Sequence, residues 1–125
     1  MIHSVADAGG DNIHGKDFFI SFKIGDELHS RIPIDARTIN EAEYTAVIKL
    51  LEHLLLTNTK DSCIIRTDSK LVVQQINGKW KVRASNLLPL YLKAIGLISQ
   101  IRRDLHIHIQ LEWWSRCNSV REVGH

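Results

Sequence analysis

The sequence predicts an α/β domain built on a mixed five-stranded sheet with helices on both faces. Three observations lead there. Apolar residues alternate through the first third of the chain, two long helical stripes follow, and short apolar runs separate them. Read in order, the elements run β-β-β-α-β-α-α-β-α. A meander followed by crossover units demands both antiparallel and parallel neighbours, and the crossovers lay helices over the sheet.

Each element has a local reason. Ile2 to Ala6 reads as a short strand that ends at Asp7, with Ala8-Gly9-Gly10 behind it. Phe18, Ile20, Phe22 and Ile24 alternate with Phe19, Ser21 and Lys23, the period of a half-buried strand. Gly25-Asp26 fits a tight hairpin, and Leu28 to Ile34 returns. Pro33 lacks a backbone donor, which places that return strand at an edge. Ala42, Ala46, Val47, Leu50, Leu51, Leu54 and Leu55 form a helical stripe whose start Thr38 or Asn40 can cap. Cys63-Ile64-Ile65 is a short apolar run typical of a strand covered on both faces. It leads through Thr67-Asp68-Ser69 into a short helix that Asn77-Gly78 ends. A longer helix is expected from Ser85 or Asn86 to about Arg103, with Pro89 in its first turn. Leu105, Ile107, Ile109, Leu111 and Trp113 alternate as a last strand, and Asn118 to His125 can begin a final helix.

Composition narrows the function classes. The 125 residues suggest one domain over 1–125, and 44% hydrophobic with 24% charged residues is ordinary for a globular chain. No apolar run is long enough to span a bilayer, so no membrane partner is expected. Met1-Ile2-His3-Ser4 does not open a signal peptide, which makes the cytoplasm the expected location. Cys63 and Cys117 lack the pair spacing of a metal site and are expected as reduced thiols. The net charge of +2 demands no nucleic-acid partner by itself. Its clustering says more. Lys79, Lys81 and Arg83 surround Trp80, and such a segment can neutralise phosphates while an aromatic ring packs on sugar or base.

Four acidic residues sit where core packing does not explain them: Asp7 after the first strand, Glu43 within the first long helix, Asp68 after the fourth strand, and Glu122 in the terminal segment. If the first and fourth strands are adjacent and parallel, Asp7 and Asp68 lie side by side at their carboxyl ends, where open α/β sheets bind ligands. Packed carboxylates repel and pay for desolvation. A hard divalent cation removes both costs, and two of them can clamp an in-line phosphoryl displacement.

These residues together resemble the ribonuclease H type I family, in its short form without an N-terminal hybrid-binding domain. Thr38-Ile39-Asn40-Glu41-Ala42-Glu43-Tyr44 is similar to the family's Thr-Asn-Asn-x-x-Glu-Tyr element, with Ile39 in place of the first Asn. Thr67 through Val82 is similar to the stretch after the third carboxylate, and Val5 through Gly10 to the first-strand Asp-Gly-Gly motif. The loop Asp11-Asn12-Ile13-His14-Gly15 departs from the family pattern. So does Arg121-Glu122, where the family has Ala-Asp.

The resemblance implies a ribonuclease H-like fold and an endonuclease that cuts the RNA strand of RNA–DNA hybrids, leaving 5′-phosphate and 3′-hydroxyl ends. Asp7, Glu43, Asp68 and Glu122 would hold Mg2+ or Mn2+, two ions with substrate bound. Asn40 would contact the hybrid in the minor groove, where the 2′-hydroxyl marks RNA. Thr38 would contact a DNA phosphate, and Lys79, Trp80 and Lys81 would track the DNA strand. No protein partner is implied and a monomer is expected. Two other readings use the same fold. One is a catalytically weak or silent hybrid-binding module. The other is an exonuclease or junction resolvase, although an exonuclease would carry two acids one residue apart where this chain has Val5 and Asp7. His106 and His108 share a strand face without an evident third ligand, and His125 follows Glu122 closely enough to serve a proton transfer.

Overall fold

The computed structural model describes residues 1–11 and 16–123, with the side chains of residues 11 and 16 outside the description. Its elements run β1 (Ile2–Asp11), β2 (Lys16–Ile24), β3 (Glu27–Pro33), α1 (Ile39–Leu56), β4 (Cys63–Thr67), α2 (Lys70–Ile76), α3 (Leu88–Leu105), β5 (Ile109–Trp113) and α4 (Arg116–Val123). The five strands form one sheet in the order β3-β2-β1-β4-β5. β1 and β2, and β2 and β3, pair antiparallel. β4 runs parallel to both β1 and β5. The expected element order and mixed sheet are therefore present, with Pro33 on the edge strand β3 and Gly25 at φ 58° in the β2–β3 turn.

Helices cover both faces. Ala6 and Ala8 share a core with Phe22, Ala42, Tyr44, Val47, Leu50 and Leu51, so this face of the sheet lies under α1. Val5 points the opposite way along the strand. Its partner in register is Lys23, whose Nζ reaches Glu122 of α4. α4 thus lies over the opposite face of β1 and β2, where Val5 and Val123 are buried.

Several boundaries differ from the expectation. β1 continues past Asp7 to Asp11, because Gly9 lies flat beneath the Phe19 ring and lets the hairpin pair further. A Cβ on Gly9 would come 2.7 Å from Phe19 Cζ. Asp7 therefore sits inside a paired strand rather than at its end. α3 starts at Leu88, with Pro89 in its first turn, and continues to Leu105. His106 then takes the left-handed C-cap conformation at φ 57°. The last strand is correspondingly short and starts at Ile109, so His106 and His108 are not strand neighbours. α4 begins at Arg116, earlier than expected, while the Asn12–Gly15 part of the first loop and His125 lie outside the described residues. Among the described residues no helix is long and apolar enough to cross a membrane. Cys63 is a buried free thiol beside Ser4, and Cys117 is free and exposed.

Candidate active site

Strand register brings the first two acids together. Val5 lies opposite Arg66 in the parallel β1–β4 ladder. Asp7 and Asp68 each follow that pair by two residues, so both leave the sheet at the same level. The third acid comes from α1. Thr38 caps that helix by accepting from Glu41 N–H at 3.1 Å. Glu41 reaches back to accept from Arg37 N–H at 2.9 Å, a variant of the capping box. Asn86 Nδ2 also donates to Glu41, and these two bonds hold its carboxyl below the usual range. With the helix start fixed, Glu43 is carried one turn inward. Thr67 Oγ1, on the last residue of β4, donates to Glu43 Oε2 at 3.3 Å.

One carboxylate oxygen from each of Asp7, Glu43 and Asp68 lies within 4.8 Å of the others. Asp7 and Glu43 are buried, and the Asp68 side chain is only 10% exposed. Asp68 is not spent on capping α2, since Ser69 Oγ accepts from Val72 N–H in that role. Burial, followed by the Asp68 charge, pushes the Asp7 carboxyl up to about 7. Burial and then the Asp68 and Asp7 charges push Glu43 well above its ordinary value. Three oxygen donors so crowded that two resist ionisation fit a hard divalent cation, which would relieve the repulsion and use every donor.

The expected fourth acid stands apart. Glu122 Oε2 pairs with Lys23 Nζ at 3.0 Å, and Glu122 is not among the converging carboxylates. The reason is its place on α4: that helix lies over β1 and β2, and Lys23 of β2 meets Glu122 there. The residue from this segment that does reach the carboxylates is Arg116. Its Nη1 lies 2.9 Å from Asp68 Oδ2 and 3.9 Å from Asp7 Oδ1, while its side chain is 60% exposed. No role for Arg116 was legible in the sequence. The only signal was a cation early in the terminal segment, two residues before Asn118.

The other residues expected to meet substrate lie on α1 and on the loop after α2. Thr38 and Asn40 are exposed at the start of α1, and Asn40 precedes Glu43 by nearly one turn. Lys79, Trp80 and Lys81 form an exposed loop after α2. Gln74 O accepts from both Lys79 N–H (2.8 Å) and Trp80 N–H (3.1 Å). Gln75 Nε2 donates to Lys81 O, and buried Tyr44 O–H donates to Gln75 Oε1 at 2.6 Å. Tyr44 follows Glu43, so one hydrogen-bond chain ties the basic loop to the helix that carries a carboxylate.

The Asp7 shift has a stability consequence. Its folded value, about 7, exceeds its ordinary 3.8. The folded chain then holds this proton more tightly than the unfolded one. The associated stability is complete below about pH 4 and is lost as pH rises through 7. In metal-free protein, Asp7→Asn should flatten this loss. The variant should gain stability over the native chain as pH rises from 4 to 8, by up to about 4 kcal/mol. Urea unfolding of both proteins across that range checks it, and parallel pH profiles would show that Asp7 is not crowded in this way. Adding divalent metal at pH 8 should shrink the difference.

Comparison with known proteins agrees with this architecture. Residues 28–119 match the family model described as reverse transcriptase-like. The bifunctional protein Rv2228c of Mycobacterium tuberculosis is 38% identical over 91 residues, 73% of this chain but 23% of that protein, so the matched part is about a quarter of the relative. The N-terminal RNase H domain of Rv2228c, solved as a fusion with maltose-binding protein, superposes with a TM-score of 0.79 at 28% identity, covering 99% of this chain and 92% of that one. LC11-RNase H1, solved in complex with an RNA/DNA hybrid, gives 0.79 at 27% identity over 98% of this chain and 91% of that one. RNase H1 of Halobacterium salinarum NRC-1 shares the fold at a TM-score of 0.81 and 21% identity, over 97% of this chain and 90% of that one. The chain belongs to the reverse transcriptase-like family and has the fold of the type 1 ribonucleases H.

Proposed function

We propose that this chain is a metal-dependent endoribonuclease that hydrolyses the RNA strand of RNA–DNA hybrids and leaves 5′-phosphate and 3′-hydroxyl ends. The observation that carries the reading is the convergence of Asp7, Glu43 and Asp68 beside the carboxyl end of β4. Similarity to RNase H1 solved with an RNA/DNA hybrid supports the substrate.

Asp7, Glu43 and Asp68 would hold Mg2+ or Mn2+. With substrate bound, two such ions would activate the attacking water and stabilise the leaving 3′ oxygen in an in-line displacement. The chain's own contribution is preorganisation. Thr67 fixes the Glu43 carboxylate, Ser69 relieves Asp68 of capping duty, and the β1–β4 register aligns Asp7 with Asp68. Asn40, exposed nearly a turn before Glu43, would read the minor groove and its 2′-hydroxyl. Thr38 would meet a DNA phosphate. Lys79 and Lys81 would neutralise backbone charge while Trp80, 45% exposed, packs on the DNA strand. Arg116 offsets the carboxylate charge and is close enough to Asp68 to meet a phosphate entering the site. Glu122, paired with Lys23 at 3.0 Å, would be the fourth acid of the set.

The catalytic reading is tested by cleavage of an end-labelled hybrid with magnesium, manganese or chelator. Single-stranded RNA and duplex DNA serve as controls. The native chain should cut only the hybrid's RNA, and only with metal. Asp68→Asn should lose several kcal/mol of transition-state stabilisation, on the order of 10³-fold in rate. Cutting that is indifferent to Asp68 would sink the mechanism. Metal-independent hybrid binding without cutting under either metal would favour a silent binding module. The basic loop gives a separate expectation. Lys79→Ala/Lys81→Ala should weaken hybrid binding and reduce the slope of log affinity against log salt by about 1–2. An unchanged slope in fluorescence anisotropy titrations would remove these lysines from the interface.

A further inference from the structure

A second cluster of metal-ligating side chains lies far from the carboxylates. Glu27 and His29 are two residues apart on β3 and so share a strand face. His29 lies opposite Phe22 in the β2–β3 ladder, and Phe22 lies opposite Ala6, which puts all of them on the face beneath α1. His53, in the last turn of α1, comes down onto the same spot. It follows Glu43 by ten residues on that helix, which places it about 15 Å along the axis from the catalytic acids.

The two imidazoles are fixed before any ligand arrives. The His29 ring stacks on Phe22 at a centroid distance of 4.6 Å and an interplanar angle of 17°. The His53 ring meets His29 edge-on at 4.6 Å and leans on Phe22 at 5.7 Å. Both Nε2 atoms are closed off from solvent, and neither has a hydrogen-bond partner among the described residues. A buried ring nitrogen left in that state needs an explanation. The polar group at hand is the Glu27 carboxylate, half exposed above them. Its Oε1 lies 3.2 Å from His29 Nε2, and its Oε2 lies 3.6 Å from His53 Nε2, both without hydrogen-bond alignment. One ligand atom from each of the three residues lies within 4.8 Å of the others.

Those separations have a simple reading. Tetrahedral zinc with bonds of about 2.0–2.1 Å sets its ligand atoms roughly 3.3 Å apart. The 3.2 and 3.6 Å contacts, one from each Glu27 oxygen, lie near that spacing, and a small rotation of the carboxylate would present a single oxygen to both imidazoles. We propose that Glu27, His29 and His53 form a zinc site that fastens the edge strand β3 to the C-terminal turn of α1. Two imidazoles and one carboxylate suit Zn2+ better than the oxygen-seeking Mg2+. Three protein ligands leave a fourth position for water. Glu52, beside His53, is committed to Lys49 at 3.3 Å and Lys93 at 3.8 Å, so it does not complete the set. The site strengthens an edge strand, the part of a sheet most exposed to pairing errors.

The test is a calorimetric zinc titration of chelator-treated full chain with magnesium in excess, so that the carboxylate cluster is already occupied. One zinc per chain should bind at micromolar Kd or tighter and should raise the Tm. Cobalt in its place should show the intense visible absorption of a tetrahedral site. His53→Gln and His29→Gln should each weaken zinc binding by about 100-fold or more and abolish the Tm rise. His29 sits on the edge strand, so its variant should fold even if the His53 variant does not, and far-UV circular dichroism decides that point. Zinc binding that survives both histidine substitutions but disappears in Asp68→Asn would assign the metal to the catalytic acids and overturn the proposal. So would an absence of binding below about 1 mM zinc, which would leave the cluster as an aromatic and ion-pair contact.

Discussion

Mutual repulsion among three crowded carboxylates is the constraint on which the rest of this structure turns. Asp7 and Glu43 are buried, Asp68 nearly so, and the first two resist ionisation because of that burial and then of the Asp68 charge beside them. A chain does not assemble such a cluster for stability, since apolar residues of similar size would pack there at lower cost. The fold supplies what the arrangement needs. A parallel β1–β4 pair sets two acids level, a capped helix delivers the third, and Thr67 ties the helix acid to the end of β4.

Arg116 shows how the chain balances that charge. Its guanidinium bridges toward Asp68 and Asp7 from the start of α4. That segment is set in place by three bonds: Trp114 N–H to Thr67 O, Trp113 Nε1–H to Asp68 O, and Trp114 Nε1–H to Ser119 Oγ at 2.7 Å. Indole contacts around the fourth-strand acid thus aim a cation at it. The same end of the molecule holds the exposed Thr38 and Asn40 at the start of α1, and Tyr44 and Gln75 couple that helix to the Lys79–Lys81 loop. The helix that carries Glu43 and the basic loop are therefore joined through polar bonds of Tyr44 and Gln75.

Much of this was legible in the amino-acid sequence, for identifiable reasons. Period-two alternation in β2, the Gly25-Asp26 turn and the stripe of α1 each follow from local spacing, and each appears where expected. The adjacency of Asp7 and Asp68 followed once β1 and β4 were taken as parallel neighbours. What local spacing did not carry was set by tertiary contacts. β1 runs on through Gly9 because Phe19 packs over it, which no alternation in β1 announces. Residues 105–108 alternate like a strand, yet α3 continues and His106 closes it in a left-handed turn. The pairing of Glu122, the expected fourth ligand, with Lys23 is likewise set by the placement of α4. The Glu27, His29 and His53 cluster is invisible along the chain, because its members meet only when β3 folds against α1.

The three converging carboxylates are tested most directly by where a divalent ion binds when substrate is present. Crystals of the chain with an RNA–DNA hybrid and Mn2+, measured at the manganese absorption edge, would locate the ion by its anomalous signal. Manganese bonded to Asp7, Glu43 and Asp68 and in contact with an RNA phosphate is the predicted result. Hybrid bound elsewhere, with Arg116 still bridging Asp68 and Asp7 and no manganese between them, would contradict it.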